Sequence, residues 1–562
     1  MFLKSFKSLN SGLFILAIFV FVSLLLLRDL VLINVRNLPF DDGLFVGRAE
    51  SLIGNTERSL GSTRGFNPLV KGQVYPFILE LSNFVNLNPL VVVYIFFWVA
   101  VIAIFILLYI HTKDIKLVLP FILFVIFDPS PFSAEASRIS REFFYEVTIL
   151  LVFAFFVKFK ITFFKEKKYF SFPYIITAGI SLGLVIFLAN NTREERPWVY
   201  LILLSGFIWV IEKNKNKIRT TALVALIAIV AYSLLNFNLK NYNNDIFGVS
   251  LTSTTVEGEF PRLMSNLSSI QASEKFNPYV SISEKKREIA YENSPSFSLL
   301  KEYLEGEGQA WIQFGCANSE TCEDYANGWF HVALRVAIDD SELWITQSNA
   351  QNYMRKVNNE LELACNSGKI KCVDALPLAK ALGVTKITGE QIMGSLNYLG
   401  LYVNKSIFGW NRNSPEHGPY VPMDEKQWER WKFVIKSLPE SQVEYQNMYN
   451  NRITIFNPIY TKWVSIYSLF NLVGLLSLLL ILYRLIFRRS KISKSDLLMF
   501  SIATYSLFIW LTRGALLAIN STTNFISVSE NYSLSGRVFL PIAFSIFSYL
   551  GVKFILDSRN EK

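Results

Sequence analysis

Two adjacent carboxylates, Asp41 and Asp42, stand in "NLPFDDGLFVGRAESL" just beyond the first long apolar run of the chain. A carboxylate near a bilayer surface is partly desolvated, which raises its basicity, so it can take a proton from a hydroxyl nucleophile. A pair can divide the work, one acid acting as base while the other orients an acceptor or helps hold a divalent cation. The plainer alternative is capping of the helix "DGLFVGRAESLIG", because Asp is favoured at an N-cap and in the first turn.

Basic residues recur at matching places. "SRISRE" carries Arg138 and Arg141 on one helical face, and "NNTREERP" adds Arg193 and Arg196 beside Glu194 and Glu195. Arg513 sits near the end of a late apolar run, and Arg537 begins the last one. Arginine at membrane depth is costly and faces a partner or a polar cavity. Two or three of these guanidinium groups converging on a phosphate would be one such arrangement. Internal pairing with Glu135, Glu142, Glu194 and Glu195, or snorkelling to headgroups, is the other. Segment 64–87 reads as a loop followed by an interfacial helix, with Tyr75, Phe77 and Phe84 at headgroup level and Lys71 within reach of a lipid phosphate, unless it packs on the bundle instead.

The elements that must position these groups are membrane helices. Of 562 residues, 51% are hydrophobic, 15% aromatic and only 18% charged, too apolar for an ordinary soluble chain. The net charge of +10 sits largely in short loops between apolar runs, where it reports membrane orientation rather than a nucleic-acid partner. A polytopic α-helical protein with about ten spans is expected, at 12–34, 89–110, 115–128, 143–160, 172–190, 198–211, 218–236, 462–486, 496–518 and 537–556. The first run follows Lys4 and Lys7 but lacks a small-x-small cleavage site, so it reads as a retained helix. With both termini cytoplasmic, "HTKDIK", "KFKITFFKEKKYF", "EKNKNKIR" and "RLIFRRSKISKS" all lie inside, as positive-inside bias requires.

That orientation exports the chemistry. Outside lie 35–88 and a hydrophilic, mostly helical block of 237–460, set between a membrane module of 1–236 and a second of 461–562. Within the block a helix over 349–366 is expected, with Ala350, Tyr353, Met354, Val357, Leu361 and Ala364 as its apolar stripe, Ser348 as N-cap and Gly368 just past its end. All four cysteines fall there, as "CANSETC" (Cys316, Cys322) and "CNSGKIKC" (Cys365, Cys372). Their spacings are wide for zinc and no histidine is near, so two disulfides in an oxidising compartment are expected, paired within each motif from three connectivities. His111, His331 and His417 are too scattered for a metal centre, and no cofactor is called for with certainty. The sequence carries neither GxxxxGK[ST] nor a GxGxxG between strand and helix, and the cytoplasmic loops are too short to bind a nucleotide-activated substrate. An energy-rich substrate used outside must therefore arrive in the lipid.

An acidic pair opening a long first external loop, short cytoplasmic links and an external domain together resemble the GT-C glycosyltransferases, among them protein O-mannosyltransferases and aminoarabinose transferases. "DDGLFVGRAESLIGN", "NPLVKGQVYPFILEL", "SRISREFFYE", "NNTREERPW", "ENSPSFSLLKEYLEG", "GWFHVALRVAI" and "NELELACNSGKIKC" are similar to bacterial membrane proteins of that superfamily with surface-polysaccharide functions, with a weaker echo in "SLSGRVFLP". The resemblance implies Asp41 as catalytic base, Asp42 standing where many members have Glu, inversion at the sugar carbon and a lipid phosphate as leaving group. It implies a polyprenyl-phosphate-linked sugar as donor, an envelope glycan or lipid-linked acceptor, and the bacterial inner membrane as location. A block between the seventh and eighth spans departs from relatives that carry theirs at the C-terminus. A polysaccharide polymerase or ligase acting on a polyprenyl-linked glycan, and a non-catalytic scaffold or transporter, are the competing readings.

Overall fold

The computed structural model describes residues 33–35, 42–54, 69–133, 135–165, 171–211, 215–274, 277, 279–319, 321–373, 388–409, 423–487, 493–523 and 527–560. Asp41, and all but the end of the expected span 12–34, lie outside them. The helices used below are α1 (Asp42–Ile53), α2 (Val74–Phe84), α3 (Pro89–Thr112), α4 (Arg141–Lys165), α5 (Phe172–Thr192), α6 (Arg196–Val210), α7 (Lys215–Phe247), α8 (Glu259–Ser269), α9 (Asn327–Asp340), α10 (Gln347–Asn366), α11 (Gly389–Phe408), α12 (Glu425–Val434), α13 (Gln442–Phe487), α14 (Lys494–Thr523), α15 (Glu530–Arg537) and α16 (Phe539–Asn560). Between α3 and α4, Ile115–Phe132 winds through successive 3-10, α and π turns.

This is an α-helical, multi-pass membrane protein. Eight helical segments among the described residues are long and apolar enough to cross a bilayer. The expected span 198–211 is the shorter helix α6, 15 residues long, and 115–128 is the irregular segment. Local signals explain the ends. α3 starts with Pro89 in its first turn and the Asn88 side chain accepting from Leu90 N (2.9 Å), and stops where Lys113 turns left-handed (φ 53°) and donates its N–H to the Tyr109 carbonyl.

Burial orders the bundle. The Tyr532–Asp557 span is 83% buried in its apolar window, whereas Asn216–Phe247 and Asn457–Phe487 are each 17% buried. The last span is therefore central, while α7 and α13 turn side chains such as Leu226, Ile229, Leu234, Leu469 and Leu476 outward, as lipid-facing helices do. Arg537, at the entrance to the central span, is surrounded by protein.

The hydrophilic block divides differently from the sequence expectation. Residues from Phe260 to Ile370 share a core of their own, but Tyr402 and Ile407 of α11 and Trp428 and Trp431 of α12 belong to the core of the bundle. α7 and α13 also run unbroken across the expected boundaries at 237 and 460. In α10 the stripe Ala350, Met354, Val357, Leu361 and Ala364 is buried and Tyr353 packs beside it. Its N-cap is Thr346 rather than Ser348, because Thr346 Oγ1 accepts from Asn349 N (3.1 Å) and the helix begins two residues earlier than expected. Gly368 takes the positive φ (72°) that ends the helix.

Cys316 bonds to Cys322 and Cys365 to Cys372, so pairing is local. With sequence separations of only 6 and 7, each link removes about 2 kcal/mol of loop-closure entropy from the unfolded chain. Reduction is thus expected to lower the unfolding midpoint of the block while the bundle keeps its helical signal, which a thermal melt with and without phosphine reductant reads directly.

Candidate functional site

Asp42 opens α1 and is wholly buried. Its two oxygens accept from one guanidinium, Arg138 Nη2 to Oδ1 at 2.6 Å and Arg138 Nε to Oδ2 at 3.2 Å, and Arg138 Nη1 also reaches Glu135 at 2.8 Å. Burial works against the Arg138 charge, but Asp42 and Glu135 hold its pKa above the ordinary arginine value. Next to this pair, Asn34 N donates to Ser137 O (2.9 Å). The first loop and the turn before α4 are therefore joined through a forked ion pair inside the protein.

The facing ends of α4, α5, α6 and α14 continue the network. Arg141 pairs with Glu194 at 2.6 Å, and Glu194 also accepts the Gly72 N–H at 2.9 Å. A Cβ at Gly72 would stand 2.3 Å from the Asn191 carbonyl, so only glycine allows that approach. Arg193 bridges Glu142 and Glu195, the latter at 2.8 Å, and Glu195 is shared with Arg513. Arg513 is fully buried, donates to Tyr532 O at 2.7 Å and lies 4.9 Å from the Trp198 ring centre. Arg196 meets Glu257 at 3.1 Å, and Lys240 meets the same carboxylate at 3.0 Å.

For five of these arginines the structure shows the internal pairing, one of the two arrangements open to them. Arg138, Arg141, Arg193, Arg196 and Arg513 each lie on a carboxylate, because a buried cation without one would be far costlier. Asp42 likewise faces Arg138 inside the protein rather than an incoming acceptor. The supporting acids Glu142, Glu194 and Glu195 are part of this network. Burial opposes ionisation of Glu194 and Glu195, yet Arg141 and Lys71 for the first, and Arg193 and Arg513 for the second, hold both below the usual carboxylate range. Burial likewise opposes ionisation of Glu257, and the Lys240 hydrogen bond leads the effects that lower it.

These depressed values set a pH dependence. The unfolded chain binds protons first as pH falls, so the contribution of the network is complete above about pH 4.5, the ordinary glutamate value, and is lost below it as pH passes the folded values. A thermal unfolding series in lipid nanodiscs is expected to show a midpoint insensitive to these groups from pH 8 to about 5 and a steep fall below.

The first loop is also held from the block. Thr254 N donates to Leu69 O (2.8 Å) and Thr255 Oγ1 to Val70 O (2.6 Å), placing Lys71 beside Glu194. Arg335 of α9 donates to both threonine hydroxyls (3.1 and 3.3 Å) and lies 3.8 Å from the Phe260 ring centre, its pKa pushed down to about 9 by burial. Of the expected interfacial aromatics, Phe84 is 85% exposed and Phe77 is half-buried beside Tyr242, whereas Tyr75 is buried against Phe45 and packs on the bundle.

A cavity of about 50 Å³ lies at the same end of the bundle, lined by Asp128, Ser130, Tyr460, Ser468, Asn471 and Arg537 together with apolar residues such as Val464 and Leu540. Ser130 donates to Asp128 twice, N to Oδ1 at 3.0 Å and Oγ to Oδ2 at 2.6 Å. Asn471 Nδ2 donates to Ile407 O at 3.0 Å, while its buried Oδ1 accepts from none of the described residues. Arg537 Nε donates to Ser533 Oγ at 3.1 Å, and Glu146 accepts Val538 N at 3.0 Å. Asp128, Glu146 and Arg537 lie within electrostatic reach of one another. Tyr402 lies within electrostatic reach of both Arg513 and Arg537, which links network and cavity.

Sequence reasoning named Arg537 but missed Asp128, Glu146, Asn471 and Arg335. The signal for the acids was available, since Asp128 in "FVIFDPS" and Glu146 in "FYEVTILL" are carboxylates set in apolar runs. Among the described residues, no group of three or more His, Cys, Asp or Glu side chains could hold a metal ion. No family model matches the chain, and neither a curated protein nor a solved structure is significantly similar to it.

Proposed function

We propose that this protein is a membrane glycosyltransferase of GT-C type, moving one sugar from a polyprenyl-phosphate carrier to an envelope glycan or lipid-linked acceptor on the outer face of the bacterial cytoplasmic membrane. The observation that carries this reading is the anchoring of Asp42, which follows Asp41 in sequence and is fixed by Arg138 at the start of α1. The buried charge network gathers at the same helix ends instead of lining a path through the bundle, which suits work on a lipid-borne substrate better than transport.

In the proposed reaction the acceptor hydroxyl loses its proton to Asp41 while its oxygen attacks the sugar carbon from the side opposite the phosphate. The carbon–oxygen bond to the phosphate breaks, the phosphate keeps the electron pair, and the configuration inverts. Asp42 acts through Arg138 as a positioning residue. In this reading the arginines of the network and Lys71 supply the positive charge near the departing phosphate.

Proteoliposomes containing the protein, a radiolabelled polyprenyl-phosphate hexose and envelope lipid extract test the reading. Label is expected to pass to the acceptor fraction only when the protein is present. No transfer from any of a panel of lipid-linked hexoses and pentoses would overturn it. Transfer of a preassembled polyprenyl-linked glycan that depends on the arginines but not on Asp41 would point to a polymerase or ligase.

A further inference from the structure

The cavity beside Arg537 sets the Asp128 carboxylate where a phosphate reading of Arg537 would need a second cation. The cavity lining sets one carboxylate, Asp128, against one guanidinium, Arg537, with Glu146 within electrostatic reach of both. Asp128, Asn471 and Arg537 are all more than nine-tenths buried. Bringing an anion against the Asp128 carboxylate in a desolvated site is unfavourable. A neutral polyol meets no such penalty.

The polar groups fit hydroxyls on both sides of the hydrogen-bond ledger. Asp128 takes one bond on each oxygen from Ser130, which leaves acceptor capacity on both. The buried Oδ1 of Asn471 accepts from no described residue, a deficit that a ligand hydroxyl or a water would fill. Arg537 and Tyr460 line the same space, a charged and an aromatic side chain of the kind that small-ligand sites combine. At about 50 Å³, the space holds roughly three or four waters. It therefore takes the hydroxyl edge of one ring rather than a whole oligosaccharide.

We propose that the cavity between Asp128, Asn471 and Arg537 is a binding site for the hydroxyl edge of a single neutral saccharide unit. Its place as a sugar subsite of the transferase rests on the proposed function, whereas the binding itself does not. Asp128 and Ser130 come from the end of the Ile115–Phe132 segment, Tyr460, Ser468 and Asn471 from α13, and Arg537 from the end of α15. The site therefore lies where three spans reach the block-bearing end of the bundle.

Full-length protein in nanodiscs, titrated with methyl glucoside, methyl galactoside and methyl mannoside and separately with inorganic phosphate, tests this by saturation-transfer NMR. At least one glycoside is expected to bind saturably, and Asp128→Asn should weaken it ten-fold or more. Ser468→Val fills the cavity while keeping every charge; it should abolish binding at a wild-type unfolding midpoint, and it decides alone if Asp128→Asn does not fold. Asp41→Asn should keep wild-type glycoside affinity, so a failed transfer assay and a failed binding site remain separate results. Absence of saturable binding by all three glycosides, unchanged affinity in Ser468→Val, or phosphate binding in the cavity that glycosides do not displace would overturn the proposal.

Discussion

Asp42→Asn is expected to destabilise the protein by about 3 kcal/mol, the low end of what breaking a buried ion pair costs. The substitution keeps the shape and removes the charge, so Arg138 stays buried with Glu135 beside it. Glu135 is what keeps the effect from being larger. Replacing both partners with apolar residues, as in Asp42→Leu with Arg138→Met, should be milder than the sum of the single changes, because no uncompensated charge remains. Unfolding in nanodiscs, compared across the two single variants and the double variant, measures that difference. A single-variant loss of under about 0.5 kcal/mol, the usual range for a surface change, would mean that the pair does not hold the loop.

Asp41→Asn is expected to do the opposite, lowering transfer about 10²- to 10⁴-fold, the range typical of a lost general base, with little change in unfolding midpoint. The two acids are neighbours in sequence, yet Asp42 is tied to Arg138 inside the protein. A positioning role for Asp42 predicts that Asp42→Asn changes the apparent affinity for the acceptor along with the rate, and that Glu at this position restores part of both. Loss of the Asp41 base predicts instead a lower maximal rate at unchanged donor affinity. The two profiles, measured at equal folded fractions, separate the residues.

The membrane class and most spans were legible because an apolar run of helical length has few other uses, and the structure carries helices over nine of the ten expected runs among its described residues. Their exact lengths were less legible. α7 continues to Phe247 through polar sequence, and α13 begins at Gln442, so helix and apolar run do not share an end. The α10 stripe was legible from periodicity, whereas the cysteine spacings indicated disulfides and left three connectivities, of which the structure shows the local one.

The arginines show where a linear reading stops. Their depth indicated that each needed a partner, and the candidate partners Glu135, Glu142, Glu194 and Glu195 were visible. The choice between carboxylate and phosphate depends on distances across α4, α5, α6 and α14, which sequence spacing does not contain. Arg513 reaches Glu195 from more than three hundred residues away. The cavity was hidden for the same reason, since Asp128, Asn471 and Arg537 meet only when three spans pack.

The central claim, that one acid of the pair does chemistry while the other holds the loop, is tested most directly by the initial rate of sugar transfer in proteoliposomes carrying Asp41→Asn at a wild-type unfolding midpoint. A fall of at least a hundred-fold is the predicted result. A full wild-type rate in that variant would contradict the account.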